Sequence, residues 1–574
     1  MVGDCCLEGV CVRRGWRAWT KVAVAACLLV LVLSSVLGPR VSAMAEVSPS
    51  AATASALAAK TSSSAPETSV IVRAIQFSGE AELLSDVERA ELEAAAAGQP
   101  LDLAALQALA NRATQMLQAK GRLLARAYLP PQDVTAGIVE IAVVEGSVEE
   151  WHFSLSDAVR IRPDRLEAIA YQVARPGESF TRQALERALL LMSDQAGVTA
   201  RARLESGERP NTTRVIVDVD QRKAVSGSAS VNNYGSLSTG SLQGSVSLNL
   251  DDTLSWGEQF QLHANFSRGI RMLRAGANVG LGGAGLRLNG RATSMTYALV
   301  EGDVAAADPT GDSRSWHVDL SYPWVRSRAL NVRGSLSYDQ KALIDRVGGE
   351  VTRARHARVW GAGLSGDVSQ GGAYTGWGLV WSSGVIDIIE GTDPQFSAGS
   401  FTKIEANVSR VHTLRPALTL AVRALGQWAG KNLDSSEKFS LGGPSGIRAY
   451  PPTEASGDAG WLASVELRYD VALPSSWGAL QLMPFFDTGR IQLYRHPIGA
   501  IETATGQNVY SLAGAGLEVT WRPPARGTSS PVRSTITLGW AHALGDNPGR
   551  TIHGTNADGT TRQSRLWAQA SINF

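Results

Sequence analysis

Two residues of opposite charge stand out by their settings. Arg448 lies in Leu441-Gly442-Gly443-Pro444-Ser445-Gly446-Ile447-Arg448-Ala449-Tyr450, and Asp487 in Phe485-Phe486-Asp487-Thr488-Gly489. The glycines and proline of the first stretch turn the chain back on itself and can carry Arg448 and Tyr450 inward on a tight tip. The second stretch puts an acid near the end of an alternating strand. A guanidinium and a carboxylate can join through a charge-assisted, bidentate hydrogen bond, so the chemistry expected of this pair is that of a latch.

Bond-making chemistry finds no comparable pattern. There is no G-x-S-x-G elbow and no H-E-x-x-H, and the eight histidines (His152, His263, His317, His356, His412, His496, His542, His553) have no ligand-like spacing. Gly430-Lys431 is followed by Asn432, without the hydroxyl that a phosphate loop uses to hold magnesium. The chain is therefore expected to be no enzyme, with no cofactor and no metal. Alone, Arg448 would read as a solvated loop cation and Asp487 as a turn residue before Gly489. Alternation argues against the second reading, because Leu480, Leu482 and Phe486 share one side of the strand and Gln481, Met483 and Asp487 the other.

The elements that position these residues follow from the pattern of the whole chain. With 574 residues, two or more domains are expected. Residues 1–45 read as a signal peptide: basic residues up to Lys21, an apolar run from Val22 to Leu37, and small residues at Val41-Ser42-Ala43 or Ala43-Met44-Ala45. An N-terminal anchor is the alternative, but the run is shorter than the roughly 20 residues a spanning helix needs. All four cysteines (Cys5, Cys6, Cys11, Cys27) fall in this segment, so the remaining chain has neither disulfide nor thiolate chemistry. Without residues 1–45 the chain carries 49 basic and 51 acidic residues, which excludes a nucleic-acid footprint. Residues 46–68, rich in Ala, Ser and Thr, read as a linker or a plug segment.

From 69 to 146 the pattern is strand, helix, helix, strand, strand, and from 147 to 222 it repeats. Residues 223–574 change texture to sixteen alternating segments of about ten residues, separated by Gly, Asp, Pro and Ser turns. No apolar stretch of 18 residues follows residue 45, so only a barrel could cross a bilayer. In the last segment Leu566, Ala568, Ala570, Ile572 and Phe574 oppose Trp567, Gln569, Ser571 and Asn573, an apolar-out, polar-in strand. Twelve of the fifteen tryptophans lie beyond residue 223, as aromatic girdles require. The fold class is thus a transmembrane antiparallel β-barrel of about sixteen strands, preceded by two small α+β domains. Arg448 falls in its sixth outer loop.

In this order, these pieces resemble the outer-membrane transporters of two-partner secretion, the TpsB family that secretes and activates haemolysins and filamentous haemagglutinins. Leu129-Pro130-Pro131-Gln132-Asp133 with Gly137-Ile138-Val139-Glu140-Ile141 resembles the end of a first POTRA domain. Leu185-Glu186-Arg187-Ala188-Leu189-Leu190-Leu191 with Gly197-Val198 resembles a second, and Asn233-Tyr234-Gly235-Ser236 the opening barrel strand. Arg448 matches the arginine of the family's sixth-loop motif, and Asp487 the aspartate of its Phe-x-Asp-x-Gly wall motif. Ala449 departs from the motif, standing where the family usually has glycine.

The resemblance implies a Gram-negative outer-membrane pore with its POTRA-like domains in the periplasm. Such a pore recognises an unfolded exoprotein and passes it to the cell surface without nucleotide hydrolysis. An assembly factor for other barrels is the alternative. Partners implied are the secreted exoprotein, outer-membrane lipid and the barrel assembly machinery, the last served by the terminal aromatic Phe574; no nucleic acid is expected. Leu124, Ala125, Arg126, Ala127 and Tyr128 are the expected cargo-binding edge of the first domain. Arg448 and Asp487 are expected to meet in a hydrated lumen, worth about 1.5–3 kcal/mol as a hydrogen bond to a charged group.

Overall fold

The computed structural model describes residues 69–302, 305–524 and 532–574. The signal-peptide and linker or plug readings of residues 1–68 lie outside the described residues.

The first module runs β1 (Ala74–Gly79), α1 (Asp86–Ala96), α2 (Leu103–Ala119), β2 (Arg126–Tyr128) and β3 (Ile138–Val144). Local signals set its helix ends. Ser85 and Glu88 form a reciprocal capping box on α1, and the Asp102 side chain accepts the Ala105 amide at 2.7 Å on α2. At the far end of α2, Arg122 N–H reaches the Leu117 carbonyl and Gly121 N–H that of Gln118, the paired bonds of a Schellman stop. Leu106, Leu109, Ala113 and Leu117 share the buried stripe of α2 and pack against Ile75, Val139, Ile141 and Val143 of the sheet. In that sheet β3 is central, parallel to β1 and antiparallel to β2.

The second module repeats the order with β4 (Ser147–Leu155), α3 (Pro163–Ala170), α4 (Arg182–Ser193), β5 (Val198–Ser206) and β6 (Thr212–Gln221). Its central strand is β6, parallel to β4 and antiparallel to β5. Leu124, which follows α2 of the first module, is buried in the core of the second with Val148, Phe180 and Leu185. The two modules therefore share a hydrophobic junction.

The remaining strands close into one barrel of sixteen, each antiparallel to the next. They are β7 (Val225–Asn232), β8 (Gln243–Asp251), β9 (Gln259–Phe266), β10 (Ile270–Leu281), β11 (Leu286–Ala298), β12 (Pro309–Arg326), β13 (Leu330–Val347) and β14 (Glu350–Gln370). The other half is β15 (Ala373–Gly391), β16 (Gly399–Arg415), β17 (Leu418–Ala429), β18 (Ala459–Val471), β19 (Ala479–Gln492), β20 (Val509–Arg522), β21 (Arg533–Ala543) and β22 (Ser564–Asn573). Alternation decides which side faces lipid. Trp316, Leu336 and Leu566 stand 65%, 54% and 72% exposed on the outside, whereas Ser464 and Asp487, of the opposite parity, are buried inside.

The strands β12–β16 depart from expectation: they span 17 to 21 residues instead of about ten. The bilayer sets only a minimum length. Past its outer edge β13 and β14 stay paired up to Val347 and Glu350, so polar stretches that read as loops continue the ladder.

The seam between β22 and β7 has five residue pairs, from Gln569–Asn232 to Asn573–Ser228. Asn233 prolongs it with its side chain, its Oδ1 accepting the Ala568 amide at 2.8 Å and its Nδ2 donating to the Leu566 carbonyl at 2.9 Å. At the other end Phe574 and Gly227 exchange two backbone hydrogen bonds.

The second module is seated on three successive turns at the periplasmic end. Arg162 N–H and Ala196 N–H donate to the carbonyls of Ser255 and Gly257 in the β8–β9 turn, and Arg165 donates to the Gly280 carbonyl at the end of β10. Arg187 donates to the Pro323 carbonyl at 2.8 Å, and Asp194 receives Arg326 through both carboxylate oxygens at 2.7 and 2.8 Å.

Candidate functional site

The loop from Gly430 to Asp458, between β17 and β18, folds into the barrel. Its tip is a compact knot. Ile447 N–H donates to the Leu441 carbonyl at 2.6 Å and Gly443 N–H to the Tyr450 carbonyl at 3.0 Å. A Cβ at Gly446 would lie 1.9 Å from the Leu441 carbonyl oxygen, so only glycine closes this turn. Leu441, Ile447, Ala449 and Tyr450 are buried against Leu462, Phe485, Tyr510 and Leu512 of the wall. The loop thus carries its own apolar anchor, and Gly442 lies in the same knot through a bridge to Ile447.

At the centre Arg448 meets Asp487. Nε donates to Oδ2 at 2.8 Å and Nη2 to Oδ1 at 2.7 Å, while the Arg448 backbone N–H also donates to Oδ2 at 3.1 Å. Ser464 ties the two together, accepting from Arg448 Nη2 at 3.0 Å and donating to Asp487 Oδ1 at 2.6 Å. Nη1 lies 3.1 Å from Glu466. The guanidinium carbon sits 3.4 Å from the centre of the Phe485 ring, a cation–π contact that covers its open face. From the last strand, Trp567 Nε1 donates to the Arg448 carbonyl at 2.8 Å. Gly489, the last residue of the wall motif, approaches the loop closely, since a Cβ there would lie 2.8 Å from Leu441.

One expectation is corrected here. The pair is not bathed by lumen water: Arg448 is 5% and Asp487 0% exposed. The loop, Phe485 and Trp567 exclude solvent, so the relevant cost is that of breaking a buried pair, about 3–5 kcal/mol. Ala449, in the place of the family's usual glycine, causes no strain, because its φ is not positive.

Sequence reasoning missed Ser464, Glu466 and Trp567 as partners, although alternation in Trp461–Asp470 and in the last segment puts all three on the polar, inward side. It also missed a second attachment of the same loop. Asp434 and Glu437, both buried, reach the opposite part of the wall. Glu437 lies 2.5 Å from Lys341 on β13 and 3.2 Å from Lys403 on β16. Asp434 lies 2.8 Å from Arg355 Nε on β14, a charge contact whose angle falls outside a hydrogen bond, and 3.4 Å from Arg353. With Arg448 held on β18, β19 and β22, the loop is tied to two separated parts of the ring and lies across the lumen.

The proposed cargo edge, Leu124 to Tyr128, is also corrected. Only Arg126–Tyr128 form a strand, and the backbone N–H and carbonyl of Ala127 are both taken by the Thr114 hydroxyl, at 2.8 and 3.2 Å. Leu124 and Ala125 are buried. This edge has no free ladder to offer. β1, on the other side of the sheet, has a strand partner on one side only.

The comparisons bear on this geometry. Residues 211–520 match the family of haemolysin secretion/activation proteins ShlB/FhaC/HecB, and residues 70–146 match the ShlB-type POTRA domain. The chain belongs to the ShlB/FhaC/HecB family. Among relatives of this family member, the heme/hemopexin transporter protein HuxB of Haemophilus influenzae is 24% identical over 70% of this chain and 72% of its own length. The outer membrane transporter CdiB of Dickeya dadantii is 24% identical over 66% of this chain and 68% of its own. The solved structure of CdiB from Escherichia coli superposes with a TM-score of 0.67 at 19% identity, covering 90% of this chain and 93% of that one. The ShlB/FhaC/HecB barrel described above accordingly lies in the outer membrane, with its POTRA modules in the periplasm.

Proposed function

We propose that this protein recognises an unfolded exoprotein of haemolysin or adhesin type in the periplasm and passes it through the barrel to the cell surface. The observation that carries the reading is the loop latched across the lumen above a pair of modules, the second of which is seated at the periplasmic mouth. A passive pore has no use for either device. The family, and the transporter relatives within it, support translocation. Folding of the cargo outside supplies direction, and nucleotide hydrolysis is not part of the scheme.

Recognition belongs to the modules. β1 presents an edge onto which an extended cargo segment can add a strand through main-chain hydrogen bonds, with Phe77 beside it for modest side-chain selectivity. The test is removal of residues 69–220. The truncated barrel is expected to insert, shown by heat-modifiable migration in gels, and to lose export. Normal export by that barrel would overturn the assignment.

A further inference from the structure

Where the second module meets the barrel, a cavity of about 680 Å³ opens between the end of α4 and the lumen faces of the first strands. Its charged lining is uneven. Arg222, Lys223, Arg287 and Arg333 face it, against Asp194 and Asp251. Asp194 is neutralised by its bidentate contact with Arg326. Two of the four cations are held by neutral groups: Arg222 donates to the Ser193 carbonyl at 3.0 Å, and Arg287 to the Asp194 carbonyl at 3.0 Å and to Asn278 Oδ1 at 2.9 Å. Such bonds fix the guanidinium groups without cancelling their charge. Lys223 and Arg333 are exposed, line the cavity, and make no hydrogen bond or ion pair among the described residues. The α4 C-terminus contributes at most about half a negative charge. Four cations against Asp251 and that partial charge leave the mouth positive.

Further along the lumen the wall becomes mixed. Asp319 and Asp339 flank His317, and Lys341 and Lys403 hold Glu437. A positive mouth that leads to a balanced interior attracts a negative chain without trapping it deeper in, which is the arrangement conduction requires.

We infer that this cavity is an entry site for acidic, extended peptide segments. It rests on the translocation reading for its role in export, but the site itself is a matter of binding. Charge steering at such a mouth raises the local concentration of an anionic chain and falls with ionic strength. Docking fixes the site in place, because Arg222 and Arg287 grip the end of the same helix whose Asp194 holds the module on the barrel.

The test uses the full chain in detergent micelles and fluorescently labelled octaglutamate, read by anisotropy at low salt. Saturable binding is expected, competed by unlabelled octaglutamate and by salt but not by octaserine. The double variant Lys223→Gln/Arg333→Gln, checked for folding by heat-modifiable migration, is expected to bind about tenfold more weakly. If Arg333→Gln prevents folding, Lys223→Gln alone is expected to weaken binding about threefold. Removing two cations on β5, Arg201→Gln/Arg203→Gln, is expected to leave binding unchanged. Equal affinity in wild type and the mouth variant, or an equal loss in the β5 variant, would overturn the site. Export is scored separately: weakened peptide binding with unimpaired export by the mouth variant would leave the anion site standing and overturn its place on the cargo route.

Discussion

Ala449 and Gly514 are shaped for each other. A Cβ built on Gly514 would lie 2.5 Å from the Ala449 methyl and 3.5 Å from Ile447. The methyl that replaces the family's usual glycine in the loop is accommodated by an absent side chain on β20. Contact of this kind couples the loop tip to the wall beside Asp487, which pairs with Gly514 in the ladder.

Gly514→Ala should therefore weaken the closed loop by about 1–3 kcal/mol, the range for overpacking a fitted site. Ala449→Gly combined with it should restore most of that loss. Protease sensitivity of residues 441–458 in folded barrels measures both, and a Gly514→Ala loop as resistant as wild type would contradict the fit.

The second attachment leads to a separate expectation. Glu437→Gln should loosen one side of the loop, where Asp434 keeps its contact with Arg355, while Arg448 stays latched, since Glu437 is buried between Lys341 and Lys403. Leaving two lysines facing a neutral amide costs about 3–5 kcal/mol, as for one partner removed from a buried pair. Single-channel conductance in planar bilayers should rise or become noisier with barrel insertion unchanged. Conductance identical to wild type would show that this attachment does not help close the lumen.

Outside the spanning strands, Glu454 predicts a pH dependence. Burial raises its carboxyl to about 7, against the backbone N–H of Ala557 and the amide of Asn547 in the last outer loop. A carboxyl whose pKa is raised in the closed state contributes stability that is complete below its ordinary value near 4.5 and is lost as pH rises through about 7. Hydrogen-exchange protection of residues 544–563, taken relative to the intrinsic rate at each pH, should thus be greater at pH 5 than at pH 8, by about 3 kcal/mol at most. Glu454→Gln should flatten the profile. Protection that increases with pH would contradict the assignment.

Phe574 has a double role to separate. Its aromatic ring lies over Gly227 and its backbone closes the end of the seam, so deletion removes two hydrogen bonds as well as the terminal signal proposed for the assembly machinery. Deleting Phe574 should lower the amount of folded barrel, and Phe574→Ala, which keeps the backbone bonds, should reproduce the deficit if the aromatic is what the machinery reads. A folded amount equal to wild type in Phe574→Ala would assign the residue to the seam alone.

Much of this architecture was legible because period-two alternation is enforced on every strand that separates lipid from water. The sixteen segments, the inward side of Asp487, the helix starts at Ser85 and Asp102 and the helix stop at Gly121 all come from local rules. The latch partners were legible only as inward-facing residues, since pairing Trp567 with Arg448 depends on how the last strand returns to the first. Asp434 and Glu437 looked like an ordinary polar loop, because their lysine and arginine partners lie 34 to 96 residues away in sequence, on other strands. The expectation for Leu124–Tyr128 failed for a related reason: strand propensity cannot show that Thr114, on a neighbouring helix, already occupies the edge, or that Leu124 is buried in the next module.

The most direct measurement is export of a cognate exoprotein in a double-mutant cycle of Arg448→Ala and Asp487→Ala, with folded barrel quantified in the same cells. Each single change should impair export while insertion is largely kept, and the double variant should be little worse than either, because each single variant already breaks the same bidentate contact. Strictly additive losses, or wild-type export from Arg448→Ala, would contradict the claim that this latch is the centre of the mechanism.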